Sequence, residues 1–215
     1  MLSKKFISSK GIVYVSSCIF TALVRESLIP NQGMYDTLRL SRFHVWTISL
    51  GDNHLRKITL SNGETVEVEC LSCAITSGLV VPEGGVVIET EHFHAHQDVA
   101  YPIKGLIILA SKRHIRCLDD LTESERLDYI NMLARIRKAQ RDALGIEYVY
   151  YFYNEDTTHH FHTWILPRYD WMYKFGRSVE SVRPVLLHAR NEMNDKENVD
   201  EVIKAINILT KELTK

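Results

Sequence analysis

An α+β fold with an antiparallel sheet is what this sequence predicts, and three observations predict it. Apolar and aromatic stretches of strand length come in runs, "VVIETEHFHAHQ" and "GLIILAS" before a long helical segment, "IEYVYYFYN" and "HFHTWIL" after it. They do not alternate one for one with helices, as a parallel sheet requires. Residues 86–213 therefore read as strands, long helix, strands, helices. The composition, 45% hydrophobic and 25% charged over 215 residues, is that of an ordinary globular chain with room for one substantial core.

Taken in order, residues 1–65 hold short apolar stretches ("IVYV", "FHVWTISL", "KITL") between turn signals such as "PNQG", "GDN" and "SNG". Strands are expected there, with no periodicity long enough to fix an architecture. "ITLSNGETVEVEC" reads as a hairpin about Asn62-Gly63, with Val66, Val68 and Cys70 alternating on one face. Residues 86–97 and 105–111 read as two strands joined by a polar turn containing Pro102. Thr122 and Glu125 form a capping box, and Leu127, Ile130, Ala134 and Ile136 follow helical spacing up to Gly145, a natural stop. Two more strands follow, the second ended by Pro167-Arg168. A helix over 178–193 and an amphipathic one over 200–213, with Val202, Ile203, Ile206, Leu209 and Leu213, close the chain.

The net charge is −1 with both signs interspersed, so no basic field points to nucleic acid or a membrane surface. No apolar run reaches the length of a membrane span. "GIVYVSSCIFTALV" follows three lysines but has no proper cleavage site after Val24, which leaves the cytoplasm as the expected location. Of four cysteines, Cys70 and Cys73 form a Cys-x-x-Cys pair, which reads as metal or redox chemistry in a reducing compartment. No thioredoxin-like βαβ pattern surrounds the pair, and Cys18 and Cys117 read as ordinary thiols.

Ten histidines are present, seven of them between residues 92 and 162. "HFHAHQD" places His92, His94 and His96 on alternate positions; "HHFHTWILPR" places His160, His162 and Trp164 likewise. On a strand such side chains share one face, roughly 6.6 Å apart. Either set could hold a metal or divide nucleophilic and proton-transfer work. Spacing alone does not choose between them.

"HHFHTWILPR" resembles the signature of the histidine triad (HIT) superfamily, in which histidines alternate with apolar residues and Pro-Arg often follows. "CLSC" and "GGVVIETEHFHAHQDVAYPIKGLIILASKRHIRCLDDLTESE" resemble the first half of such a domain, so the likeness covers roughly residues 66–190. It implies a HIT-like antiparallel sheet, with a long helix after the second strand and helices at the C-terminus. Residues 1–65 become an N-terminal extension and 191–215 a C-terminal amphipathic helix.

What the resemblance implies for the site is as follows. His162, the middle histidine, attacks the α-phosphorus of a nucleotide and forms a nucleotidyl-histidine. This needs a neutral imidazole whose other nitrogen is hydrogen-bonded. Asn154 takes the place of a residue near the phosphates, or is a turn residue. Asp98 takes the place of the ribose-binding aspartate, and Phe93 lines the base pocket or is a core aromatic. Cys70, Cys73, His114 and His160 match the ligands of structural zinc in the branch that includes galactose-1-phosphate uridylyltransferase. His92, His94 and His96 receive no role from it and read as surface or pocket residues. Lys112, Arg113 and Arg168 read as solvated charges.

The sequence departs from the pattern at Trp164, where a third histidine or a glutamine hydrogen-bonds the phosphate or scissile oxygen. An indole offers only an N–H donor and passes no proton. The loop "NEDTTHH" also lacks the Gly-Gln-x-Val run of typical HIT hydrolases. The expected function is a nucleotide hydrolase or nucleotidyl transferase acting on a nucleoside 5′-phosphoryl compound, such as a dinucleoside polyphosphate or phosphoramidate. A nucleotide-binding module without turnover, and a metalloenzyme using His92, His94 and His96, are the other readings. The resemblance also implies a homodimer.

Overall fold

The computed structural model describes residues 6–8, 11–13, 55–59, 64–156 and 160–215. The chain divides into two compact units, Met1–Arg39 and Leu40–Lys215. In the first, strands β1 (Phe6–Ser8) and β2 (Gly11–Val13) pair antiparallel with Phe6 opposite Val13. All further elements belong to the second unit.

Strands β3 (Arg56–Thr59) and β4 (Thr65–Val68) form the expected hairpin, Thr59 opposite Thr65; its Asn62-Gly63 turn lies outside the described residues. Ile58 and Val68 pack with Ala74, Ile75 and Val80. Helix α1 (Leu71–Thr76) starts directly after the hairpin, with Cys70 at its N-cap in extended conformation and Cys73 in its first turn. The two sulfurs thus stand about one helical turn apart on a short, braced segment.

The main sheet is antiparallel, in the order β5 (Val86–Glu89), β6 (Phe93–His96), β7 (Ile107–Ser111), β9 (His162–Arg168), β8 (Tyr148–Phe152). One face carries the main core. Phe93, Ala95, Ile107, Leu109 and Ile165 lie there, under Met132, Ile136 and Ala139 of α2 (Glu123–Leu144). Val202, Ile206, Leu209 and Leu213 of α4 (Lys196–Leu213) join the same core. The strand alternation sends His94, His96, Ile108, Ala110, His162 and Trp164 to the other face. At the Leu166 end that face is closed by a second core around Ile103, Leu106 and Met172, with Val182, Val185 and Ala189 of α3 (Val182–Glu192). No helix among the described residues is long and apolar enough to cross a membrane.

Four local expectations change. The stretch 86–97 is not one strand but the β5–β6 hairpin, bent at Thr90 to His92. Asp128 of α2 holds that bend, its Oδ2 accepting from Thr90 Oγ1 at 2.6 Å and from His92 N at 3.3 Å. Leu127 and Ile130 do not face the core; they are 59% and 57% exposed, because α2 buries the stripe through Glu125, Met132, Ile136 and Ala139 instead. Pro167-Arg168 does not follow β9 but forms its last two residues, where β8 is the only partner beyond Ile165, so a proline costs the strand little. Arg168 is 4% exposed rather than solvated, with its guanidinium 4.6 Å from the Tyr150 ring centre.

The start of α2 is fixed as the capping box requires: Glu125 N donates to Thr122 Oγ1 at 3.3 Å and Thr122 N to Glu125 Oε2 at 2.7 Å. The same buried carboxylate takes a two-pronged contact from Arg113, Nε to Oε1 and Nη2 to Oε2, both 2.7 Å. The Arg113 guanidinium holds the Glu125 carboxyl down to about 2, from an ordinary 4.5. A carboxyl depressed on folding stabilises fully above its unfolded value and loses that contribution as pH falls through its folded one. Glu125→Gln should therefore lower unfolding free energy at pH 7 by on the order of 1–3 kcal/mol. In urea titrations its deficit against wild type should narrow between about pH 4.5 and 2. A deficit equal at both ends would mean the charge is not what matters.

Candidate functional site

Four ligand-type side chains converge from three segments. Cys70 and Cys73 come from α1, His114 from the segment between β7 and α2, and His160 from just before β9. Their donor atoms all lie within 4.8 Å of one another. Cys70 Sγ is 3.2 Å and Cys73 Sγ 3.6 Å from His160 Nδ1; Cys73 Sγ is 3.2 Å from His114 Nδ1; the two Nδ1 atoms are 3.3 Å apart. A tetrahedral ion with sulfur at about 2.3 Å and nitrogen at about 2.0 Å needs ligand separations of roughly 3.3–3.8 Å. Four of the six separations lie close to that range, and all six are within 4.8 Å. Among the described residues it is the only such group; His92, His94 and His96 do not form one.

Each imidazole nitrogen of His160 has its own task. Nε2 donates to the Ser111 carbonyl at 2.7 Å, which fixes the tautomer and turns the Nδ1 lone pair to the cysteines. His160 is buried, so this carbonyl is its anchor. A hydrogen bond from Cys73, helped by His160 and opposed by burial, pushes the Cys70 thiol down to about 3. The same bond to the Cys70 sulfur, with burial, raises Cys73.

His162, two residues on, is the first residue of β9 and pairs with Ala110 of β7. Its Nδ1 donates to the His160 backbone carbonyl at 2.8 Å. That bond places the proton on Nδ1 and leaves the Nε2 lone pair open, as a nucleophilic imidazole requires. Burial lowers the His162 pKa and so favours the neutral ring.

The other predicted site residues divide. Trp164 shares the face of His162, and its ring meets Tyr101 edge to face at 5.2 Å between centroids. Asn154 is half-buried two residues beyond the Phe152–Trp164 pair, at the His162 end of β8. Asp98 lies just past β6, where its Oδ1 accepts from Ala100 N at 2.9 Å and shapes the turn. Phe93 takes the second of its two readings, a core aromatic, and not the base pocket. It packs against Tyr129 and Phe161 in the helix-side core, on the opposite face from His162, so it lines no pocket there. The strand alternation that removes Phe93 puts His94 and His96 on the face of His162, both buried. Burial pushes them down to about 4 and about 3. The sequence reading missed this, and the alternating histidines were the signal. It also missed Ser111, whose carbonyl no pattern could have announced.

No protein-family model and no curated protein matches the chain. Solved structures do. A zinc-bound histidine triad family protein from Mycobacterium smegmatis is 20% identical with a TM-score of 0.50, the likeness covering 67% of this chain and 93% of that one. A member of the HIT family from Bacillus subtilis is 26% identical over 52% of this chain and 81% of that one, with a TM-score of 0.46. A HIT family protein from Bacillus anthracis is 23% identical over 63% of this chain and 94% of that one, with a TM-score of 0.45. The first of these likenesses shows the fold: it is the histidine triad fold.

Proposed function

We propose that this protein is a nucleotide hydrolase or nucleotidyl transferase that attacks the α-phosphorus of a nucleoside 5′-phosphoryl compound. The observation that carries the reading is the 2.8 Å bond from His162 Nδ1 to the His160 carbonyl, which leaves Nε2 free on an open-ended sheet face. Nε2 attacks phosphorus, the bond to the leaving oxygen breaks, and that oxygen keeps the electron pair. The positive charge gained by the ring is stabilised through Nδ1–H by the same carbonyl. Water or another acceptor then attacks phosphorus, releases the nucleotide and returns the lone pair to His162, its proton passing to solvent. Asp98 and Asn154 are proposed to meet the ribose and the phosphates.

The metal of this reading is zinc, held by Cys70, Cys73, His114 and His160. Two thiolates and two imidazoles leave no open position, so zinc supplies a cross-link there rather than a reactive water. The partner of this reading is a second copy of the chain. β8 is an edge strand, and beside it Leu127 and Ile130 of α2 and Tyr151 are all more than half exposed. Pairing of two β8 edges would continue the sheet and cover these side chains. A second reading, a nucleotide-binding module without turnover, draws on the packing of Trp164 against Tyr101.

Protein incubated with an α-labelled dinucleoside polyphosphate should acquire acid-labile label, and His162→Ala should acquire none. Nucleotide binding without label or turnover would sink the enzyme and leave the binding module. Purified protein should carry about one zinc per chain, lost in Cys70→Ser and retained in His94→Ala; the reverse pattern would overturn the ligand assignment. In sedimentation, wild type should run as a dimer and Ile130→Glu as a folded monomer; an unchanged dimer would move the interface elsewhere.

A further inference from the structure

The face that carries His162 carries two more imidazoles that the reaction so far does not use. His94 and His96 are 1% and 6% exposed, their rings stacked 5.2 Å apart with 15° between planes. Both nitrogens of His94 and Nδ1 of His96 are buried without a hydrogen-bond partner; His96 Nε2 is the one nitrogen of the four outside that set. Leaving buried polar groups unpartnered is unfavourable, so the sheet keeps this pair against its own stability. A neutral imidazole has one N–H. A bare buried acceptor is tolerated better than an orphaned N–H, so the proton of His96 belongs on Nε2. The face of His162 thus carries, on β6, an N–H donor at His96.

The register says what that donor can reach. His94, Ala110 and His162 form one row across β6, β7 and β9; His96, Ile108 and Trp164 form the next. β6 and β9 flank β7 about 9.6 Å apart. In an in-line displacement the leaving oxygen departs on the side of phosphorus away from the nucleophile. With His162 on β9, the far side of β7 is β6. A near-attack distance of about 3–3.5 Å plus one P–O bond puts that oxygen about 5 Å from His162 Nε2. A hydrogen bond of about 3 Å then brings the span to about 8 Å, which the two side chains make by leaning toward each other from a Cα diagonal of about 12 Å, two strands and one row apart. Negative charge develops on this oxygen and needs a donor. Trp164, the nearer candidate, is packed into the core beside α3 against Tyr101.

We propose that His96 is a catalytic residue of this site: its Nε2–H donates a hydrogen bond to the leaving oxygen as the bond to phosphorus breaks, with His94 stacked behind to hold the ring. The inference rests on the nucleotidyl-transfer reading above. The N–P bond forms at His162, the P–O bond breaks, the electron pair stays on oxygen, and His96 keeps its proton. The site therefore suits leaving groups that are stable as anions. Phosphoanhydrides fit, and the substrate class narrows to dinucleoside polyphosphates; an amine, which must leave protonated, does not.

The test is nucleotidylation of His162 by a series of aryl esters of a nucleoside 5′-monophosphate, whose phenols differ in leaving ability. His96→Ala should slow the ester with the poorest leaving group about 10- to 100-fold. The dinitrophenyl ester should slow by less than about 3-fold, so dependence on leaving-group pKa steepens. His96→Gln, whose amide can donate, should recover part of the loss, and Trp164→Phe should leave the slope unchanged. Equal slowing across the series would make His96 a structural residue and overturn the proposal while the nucleotidyl-transfer reading stands. A steepened slope in Trp164→Phe alone would assign the donor to Trp164. No label in wild type with any ester would overturn both readings.

Discussion

His160 is the residue on which the rest of the site depends. Its ring is held between the Ser111 carbonyl and two cysteine sulfurs, and its own carbonyl holds the proton of His162. A single residue thus links the cysteine segment, strand β7 and His162. Burial makes the link stiff: with no water to substitute, each hydrogen bond around His160 can only be kept or lost. Rotation of the ring would break contacts on both sides. A metal at Nδ1 would stiffen this residue further.

The fold supplies the anchors from elements far apart in sequence. Cys70 and Cys73 are positioned by a hairpin and a six-residue helix with a small core of its own. His114 follows Arg113, whose two-pronged contact with Glu125 ties that segment to the first turn of α2. His160 enters through the bond of Phe161 N to the Ile115 carbonyl at 2.7 Å. Each ligand therefore has a neighbour that fixes backbone rather than side chain. The sheet then separates tasks by alternation, with apolar side chains under α2 and α4 and imidazoles on the reverse.

The parts of this arrangement legible in sequence were those encoded within a few residues. Thr122, Glu125 and Gly145 announced the ends of α2, and the alternating pattern about Asn62-Gly63 announced a hairpin. Cys70, Cys73, His114 and His160 were picked out by likeness to known motifs, and the structure brings their donor atoms together. What escaped was set by distant partners. The bend at Thr90 to His92 is held by Asp128, and the outward stripe of Leu127 and Ile130 reflects which side of α2 meets the sheet. The face of Phe93 followed from the same cause: a bend that resets the strand's start decides which residues point inward. Arg168 read as solvated because a guanidinium buried between tyrosine rings leaves no local mark.

Trp164 and the His94–His96 pair belong to one question. A tryptophan in the row beside His162 gains packing against Tyr101, but an indole N–H is a neutral donor. A buried histidine two strands away is likewise a neutral donor, since burial keeps it from holding a second proton. Neither side chain makes the site an acid. A face built this way can stabilise charge on a departing oxygen but cannot hand it a proton, so the chemistry it favours is set by the leaving group. On the proposed reading, Trp164 restricts the substrate rather than removing the function, and His96 of β6 keeps the restricted reaction within reach.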